Sequence, residues 1–386
     1  MKQNQFDDLP QQYQHIVFLI TGLDYGGREV QLVQLASQLK NRDWTVEIVS
    51  MLSPQAFTNQ LAALEIPVYS LDMQRGIPSI TAILKLAKIL KDVQPSFFHS
   101  HLVHANLLAR ITRLIVKVPI LISTAGNIKE GKRWREIAYR LTDPWCDITT
   151  NVSKLAVEYY IKAGAVPKDK IVYIPNCVDT DSFAPNPITR RRIRQELSLG
   201  EKFTWLAVGR LEEQKDYPTM LKAFACISQQ FTDSLLLIYG QGSLKDQLVN
   251  LVEILSLQDR VKFMGVCSNI PEIMNGVDGY IMSSAWEGMP GVLLEASATE
   301  LPIVATNVSG NREVVVDNKT GFLIPPHNFE ALAKAMQKLM ELPLKERYKM
   351  GQLSRDYMIK NYSLEQGVNR WIKFYFQLFS SKKWQD

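Results

Sequence analysis

Apolar runs of strand length alternate along this whole chain with longer stretches in which apolar residues recur at helical spacing. Residues 16–20 read as a strand and are followed by a glycine-rich turn at Gly22, Gly26 and Gly27. Val30, Leu32, Val33, Leu35, Ala36 and Leu39 then recur as one face of a helix. The unit repeats with a strand at 45–49, a helix at 80–90, a strand at 96–98, a helix at 105–116 and a strand at 120–123. A second series starts near Lys202, with strands predicted at 203–208, 235–239, 279–282 and 303–306. Each of these runs into Gly or Ser: Gly209, then Gly240 and Gly242, then Ser283 and Ser284, then Ser309 and Gly310. Strand–helix alternation of this kind predicts parallel sheets covered on both faces.

A chain of 386 residues, 46% of them hydrophobic, is too long for one ordinary core and suits two domains. The Pro- and Arg-rich stretch 183–199 is the expected linker. The predicted division is an N-terminal domain over 1–185, a C-terminal domain over 186–362, and a terminal helix over 363–386. Ligands of such sheets bind beyond the carboxyl ends of the strands, so a cleft between two facing sheet edges is the expected site.

The net charge of +5 suits anionic small molecules or an anionic membrane face, and is too weak to imply nucleic acid. Cys146, Cys177, Cys226 and Cys267 lie far apart and form no metal or redox spacing, as in a reduced cytosolic protein. The first apolar run, 15–20, is too short for a secretory signal or a membrane span.

The run 283–295, SSAWEGMPGVLLE, carries the densest chemistry. Glu287 sits in a loop after a strand, followed by Gly288 and Met289. Pro290 suits a first helical position. The amides of Gly291 and Val292 would then face outward at a helix N-terminus, where an anion is favoured. Glu295 follows about one turn further on. The array can hold a phosphate between two hydroxylated groups, which is the shape of a nucleotide sugar. A solvated loop residue at 287 and a surface helix residue at 295 remain the plain alternative.

Gly209-Arg210 and Lys215 flank a turn at the same sheet edge. Two cations there can neutralise a diphosphate, and the Arg fork adds paired hydrogen bonds. Gly240 and Gly242 permit close backbone approach, to a ligand or within a tight turn. Gly26-Gly27-Arg28-Glu29 could admit a phosphate but lacks the full dinucleotide fingerprint. His99, His101 and His104, with Asn106, crowd one strand end, and no Cys or nearby carboxylate completes a metal site there. Asp179-Thr-Asp181 reads as turn chemistry. Between Arg110 and Arg140 lie eight Lys or Arg against two Glu. There Trp134, Ile137, Ala138 and Leu141 share one helical face, which suits either docking on anionic lipid or packing into the core. The Arg-rich run 190–194 reads as a solvated linker helix.

Together these motifs resemble family 4 of the glycosyltransferases, over residues 16–364. Glu287 and Glu295 resemble that family's E-x7-E pair within E-G-M-P-G-V-L-L-E. Arg210 and Lys215 match its phosphate-binding Arg and Lys. The run 174–179, I-P-N-C-V-D, is similar to its I-P-N-G-V-D, and 321–325 to its G-F-L-V-P. The stretch from His99 resembles members that build lipid-linked oligosaccharides and surface polysaccharides.

The resemblance implies the GT-B fold: two Rossmann-like, doubly wound parallel-sheet domains facing across a cleft, with the last helix returning to the first. It implies metal-independent transfer of a hexose-type sugar, with retention, from a UDP- or GDP-sugar to a glycan or lipid-linked acceptor. Glu287 would contact sugar hydroxyls, Glu295 the ribose, and Arg210 and Lys215 the diphosphate. His101 would sit beside the reacting carbon and Gly27 near the phosphates. Gly209, Gly240, Gly242 and the run Gly288, Met289, Pro290, Gly291, Val292 complete the donor set. His104, Asn106 and Asn127 are acceptor-side candidates. No cofactor, metal or nucleic acid is expected. A cytoplasmic enzyme, peripheral on the membrane through 110–141, is expected. Where relatives read T-E-H-N this chain has Thr124-Ala-Gly-Asn127, Cys177 replaces Gly, and Asn311-Arg312 replaces I-P before Glu313. These departures leave donor binding intact and bear on the acceptor. An epimerase or hydrolase on the same scaffold, or a non-catalytic nucleotide-sugar binder, are the competing classes.

Overall fold

A computed structural model describes residues 9–24, 26–74, 79–126 and 133–382. The chain divides into two units, one of residues 1–176 with 365–386 and one of residues 177–364. The first holds a seven-stranded sheet in the order β3-β2-β1-β4-β5-β6-β7. Its strands are β1 His15–Ile20, β2 Thr45–Ser50, β3 Val68–Ser70, β4 Phe97–His101, β5 Ile120–Ala125, β6 Ile148–Asn151 and β7 Ile171–Tyr173. The second holds a six-stranded sheet in the order β10-β9-β8-β11-β12-β13. These are β8 Phe203–Val208, β9 Ser234–Tyr239, β10 Val261–Gly265, β11 Gly279–Met282, β12 Ile303–Thr306 and β13 Gly321–Ile324.

Every pairing between these strands is parallel. The central strands are buried on both faces, so they read in sequence as continuous apolar runs rather than alternating ones. Strand order reverses beside β1 in one sheet and beside β8 in the other. The crevices at such switch points lie beyond the carboxyl ends of β1 and β4, and of β8 and β11. The chain leaves those four strands at Thr21, Leu102, Gly209 and Ser283, which heads every motif of interest toward a sheet edge.

The stretch expected as a linker is part of the second unit. Asn186 caps the helix Pro187–Glu196, its side chain accepting from the amides of Ile188 and Thr189 at 2.9 and 3.1 Å. Arg190 and Arg194 both reach Asp278, the latter at 3.0 Å. A polar, Arg-rich helix looks like solvated linker in sequence because its anchoring carboxylate lies far along the chain. The unit boundary therefore falls at Asn176, earlier than composition suggested. The helix Leu364–Ser381 belongs with the first sheet from Glu365 onward, and Tyr375 on it is fully buried. No helix among the described residues is long and apolar enough to cross a membrane.

Candidate active site

In the second unit the loops after β8 and β11 are stitched together. The Ser283 hydroxyl lies 2.8 Å from the carbonyls of both Lys215 and Asp216. The Ala285 amide donates to the Gln214 carbonyl at 2.8 Å. Gln214 Nε2 donates to the Trp286 carbonyl at 3.0 Å and to Glu287 Oε2 at 3.3 Å. These bonds bring Lys215 Nζ to 2.6 Å from Glu287 Oε1, with the two side chains only 15% and 7% exposed. Gln214 was not singled out by sequence, and Ser283 was named only as a residue that ends a strand. Nothing in their type distinguishes a brace from a surface polar residue.

Arg210 stands exposed at the start of the same loop and makes no side-chain hydrogen bond with the described residues. Its charge helps hold the neighbouring Glu212 carboxyl below its usual range, after the bonds that carboxyl accepts from Ser243. The helix Gly291–Ala298 begins one residue later than expected, with Pro290 as its cap in extended conformation. Glu295 on this helix is partly exposed and has no side-chain hydrogen-bond partner among the described residues. Desolvation pushes its carboxyl up to about 7. Burial, and then the nearby charges of Glu295 and Glu287 among others, raise the phenol of Tyr280 well above its ordinary value.

Two glycines hold this edge by close approach. Gly240 has φ +146°, and a Cβ there would lie 1.9 Å from the Gly209 carbonyl. A Cβ at Gly310 would lie 1.9 Å from the Gly288 carbonyl. Gly242 likewise abuts the Leu211 backbone, so the Gly-x-Gly pair seats one strand-end loop on another.

In the first unit His101 ends β4 beside Ile20 of β1 and Thr124 of β5. The residue is 5% exposed, and Nε2 has no hydrogen-bond partner among the described residues. Burial, and then the Arg28 charge, lower it to about 3, so the imidazole is neutral. Arg28, in the first turn of the helix Gly27–Lys40, donates to the Gly126 carbonyl at 2.8 Å and to Asn176 Oδ1 at 3.3 Å. A Cβ at Gly126 would sit 2.8 Å from Arg28 Nε. At Gly126 the guanidinium thus fills the room that a side chain would take. Gly27 heads the helix Gly27–Lys40, and a Cβ there would meet open space.

The remaining acceptor-side candidates separate. His104 is exposed. Asn106 is fully buried, and its amide braces the Thr124 carbonyl and the Tyr139 hydroxyl, at 3.0 and 2.6 Å. Asn127 lies outside the described residues. Asp179 accepts from the amides of Asp181 and Ser182, as its turn chemistry suggested. Arg110, counted in the basic run, is fully buried on Ser123, Thr149 and the Tyr139 carbonyl, and so adds nothing to the surface charge. Trp134, Ile137 and Leu141 are 47%, 53% and 68% exposed, whereas Tyr139 on the same helix is buried. That excludes the core-packing alternative for this stripe. Among the described residues no group of three His, Cys, Asp or Glu is arranged to hold a metal ion.

The family description Glycosyltransferase Family 4 matches residues 25–182, and Glycosyl transferases group 1 matches 189–357. The UDP-Gal:alpha-D-GlcNAc-diphosphoundecaprenol alpha-1,3-galactosyltransferase of Escherichia coli is 30% identical over 280 residues, covering 69% of this chain and 71% of that protein. A GDP-mannose-dependent alpha-(1-6)-phosphatidylinositol monomannoside mannosyltransferase of Mycobacterium tuberculosis is 30% identical over 246 residues, covering 61% and 63%. Among solved structures, Anabaena HepE in complex with UDP-glucose superposes with a TM-score of 0.84 at 20% identity, covering 95% of this chain and 99% of that one. WaaG, a glycosyltransferase involved in lipopolysaccharide biosynthesis, gives 0.75 at 17%, covering 93% and 99%.

Proposed function

This chain belongs to glycosyltransferase family 4 and is a glycosyltransferase of GT-B fold; we propose that it moves a hexose-type sugar, with retention and without a metal, from a UDP- or GDP-sugar to a lipid-linked or glycan acceptor of surface polysaccharide synthesis. The observation that carries this reading is the Lys215–Glu287 pair, set with Arg210 beyond the switch point of β8 and β11. Lys215 has three N–H donors, and Glu287 occupies one. The others, with Arg210 and the Gly291 and Val292 amides, serve the donor diphosphate. Glu287 takes sugar hydroxyls and Glu295 the ribose. Gly27 and His101, the latter a neutral ring at the carboxyl end of β4, are the first unit's candidates for a part in transfer.

In the proposed reaction the bond from the anomeric carbon to the diphosphate oxygen breaks, and the electron pair leaves with the diphosphate. Arg210 and Lys215 neutralise the growing charge, an effect that preorganised groups supply at no reorganisation cost. The acceptor hydroxyl forms the new bond on the same face and passes its proton to the departing phosphate oxygen.

The acceptor side works at an anionic membrane surface on the cytoplasmic face. The helices Ile80–Val93, Val103–Thr112, Arg133–Thr142 and Lys154–Lys162 link strands that run one way across the first sheet, so right-handed crossovers set them on one face. Among the described residues, every large apolar side chain exposed in the first unit lies on these helices or the turn after the second, Leu84, Leu114, Trp134 and Leu141 among them. Exposed Lys88, Lys117, Arg133 and Lys154 accompany them. Apolar contact with basic residues alongside is the chemistry that holds a protein on anionic lipid.

The test incubates purified protein with UDP- and GDP-sugars, with and without lipid extract, and follows nucleotide release and the anomer of the product. Acceptor-dependent release with a retained anomer is expected. Acceptor-independent conversion, or donor binding without turnover, would overturn the reading.

A further inference from the structure

His101 leaves β4 through a backbone conformation that an ordinary side chain avoids. Leu102, the next residue, has φ 75° and ψ 153°. This region is populated almost only by glycine, because a Cβ there crowds neighbouring backbone atoms. Such strain persists only where the surrounding structure over-determines it.

The surrounding bonds converge on one residue of the adjacent strand. The Thr124 carbonyl accepts from the Leu102 amide at 3.1 Å and from the Asn106 side chain at 3.0 Å. The Asn106 amide closes the turn on the Leu102 carbonyl at 2.8 Å. The Thr124 hydroxyl lies 2.7 Å from His99 Nε2 and 2.7 Å from the Thr150 hydroxyl. His99 Nδ1 meets the Tyr375 hydroxyl at 2.9 Å. The rings of His99 and His101 pack with centroids 4.2 Å apart. One side of Thr124 therefore holds the chain after His101, and the other holds the ring that His101 leans on.

We propose that Thr124 and Leu102 are positioning residues for the transfer reaction. The Thr124 carbonyl locks the strained turn, its hydroxyl locks His99, and together they set the direction of the buried His101 ring. The strain gives the turn one geometry. A turn free to relax would let the ring swing. This inference rests on the role proposed above for His101.

The test compares donor-dependent kinetics and thermal midpoints of the wild type with those of Thr124→Val, Thr124→Ser, Leu102→Gly and His101→Ala. Thr124→Val removes the hydroxyl and keeps the shape. It is expected to lower kcat about tenfold or more, as small misplacements of a reacting geometry do, while donor KM stays within about twofold. Thr124→Ser is expected to restore kcat. Leu102→Gly is expected to lower kcat without lowering the thermal midpoint, because glycine accepts this φ. Should Thr124→Val fail to fold, Leu102→Gly carries the test alone. Wild-type kcat in Leu102→Gly, or a Thr124→Val loss that Ser does not restore, overturns the inference. If His101→Ala turns over normally, the reading of His101 fails first. If His101→Ala is inactive while both other sites tolerate change, only the positioning inference is lost.

Discussion

Lys215 and Glu287, far apart in sequence, meet at 2.6 Å with neither side chain more than 15% exposed. The pair is a joint between two strand-end loops as well as a site feature, and that separates the roles of the two cations. Removing one partner of a buried pair leaves an uncompensated charge, which costs about 3 kcal/mol. Lys215→Ala should lower both the thermal midpoint and turnover, turnover by about a hundredfold. Arg210→Ala, exposed and hydrogen-bonded to nothing described, should lose a similar factor in turnover with an unchanged midpoint. Calorimetry and initial rates on both variants check this; equal midpoints would contradict the joint.

Glu295 makes donor binding sensitive to pH. Its carboxyl is pushed up to about 7, and ribose hydroxyls are best held by the ionised form. Donor affinity is expected to fall as pH drops below about 7, and Glu295→Gln should flatten the profile. Stability runs the other way. The folded value lies above the ordinary 4.5, so the contribution of Glu295 is full below about 4.5 and is lost as pH rises through about 7. Glu295→Gln should therefore gain more thermal stability at pH 8 than at pH 5. Isothermal titration and melting curves at both pH values decide it.

Gly310 has no room for a side chain, since a Cβ would lie 1.9 Å from the Gly288 carbonyl and 2.7 Å from Met289 Cα. These are backbone atoms of the loop that carries Glu287. Gly310→Ala is expected to cost about 1–3 kcal/mol, as overpacking does, and to weaken donor binding. Wild-type donor affinity in a folded Gly310→Ala protein would detach this glycine from the site.

Transfer is expected to survive EDTA, because Arg210, Lys215 and the helix amides supply the positive field that a divalent ion supplies elsewhere. Loss of activity under chelation, restored by Mn or Mg, would refute that assignment.

Flotation with anionic vesicles tests the exposed helical face. Wild type is expected to float with anionic vesicles and much less with neutral ones, falling further in high salt. Trp134→Glu combined with Leu141→Glu should abolish flotation. Unchanged flotation of that variant would rule out this face as the anchor.

The strand–helix alternation and the glycines after strands came directly from the residues, because buried parallel strands and amphipathic helices impose their own periods. The short β3, β6, β7, β10 and β13 were not among the predicted strands, and β10 is only partly buried, with no continuous apolar run. The pairings across the fold were also hidden. Arg28 filling the room at Gly126, Arg110 spent inside the first unit and Asp278 holding the Arg-rich helix each join residues widely separated in the chain.

By itself the sequence determined two parallel-sheet units and the residue types that gather at their carboxyl edges. Only the tertiary structure decided which cation is buried against Glu287, which histidine rings are buried at the end of β4, and which helical stripe meets solvent. The reason is that local period sets the face of a single element. Partners across a sheet are set by strand order, which no local pattern encodes.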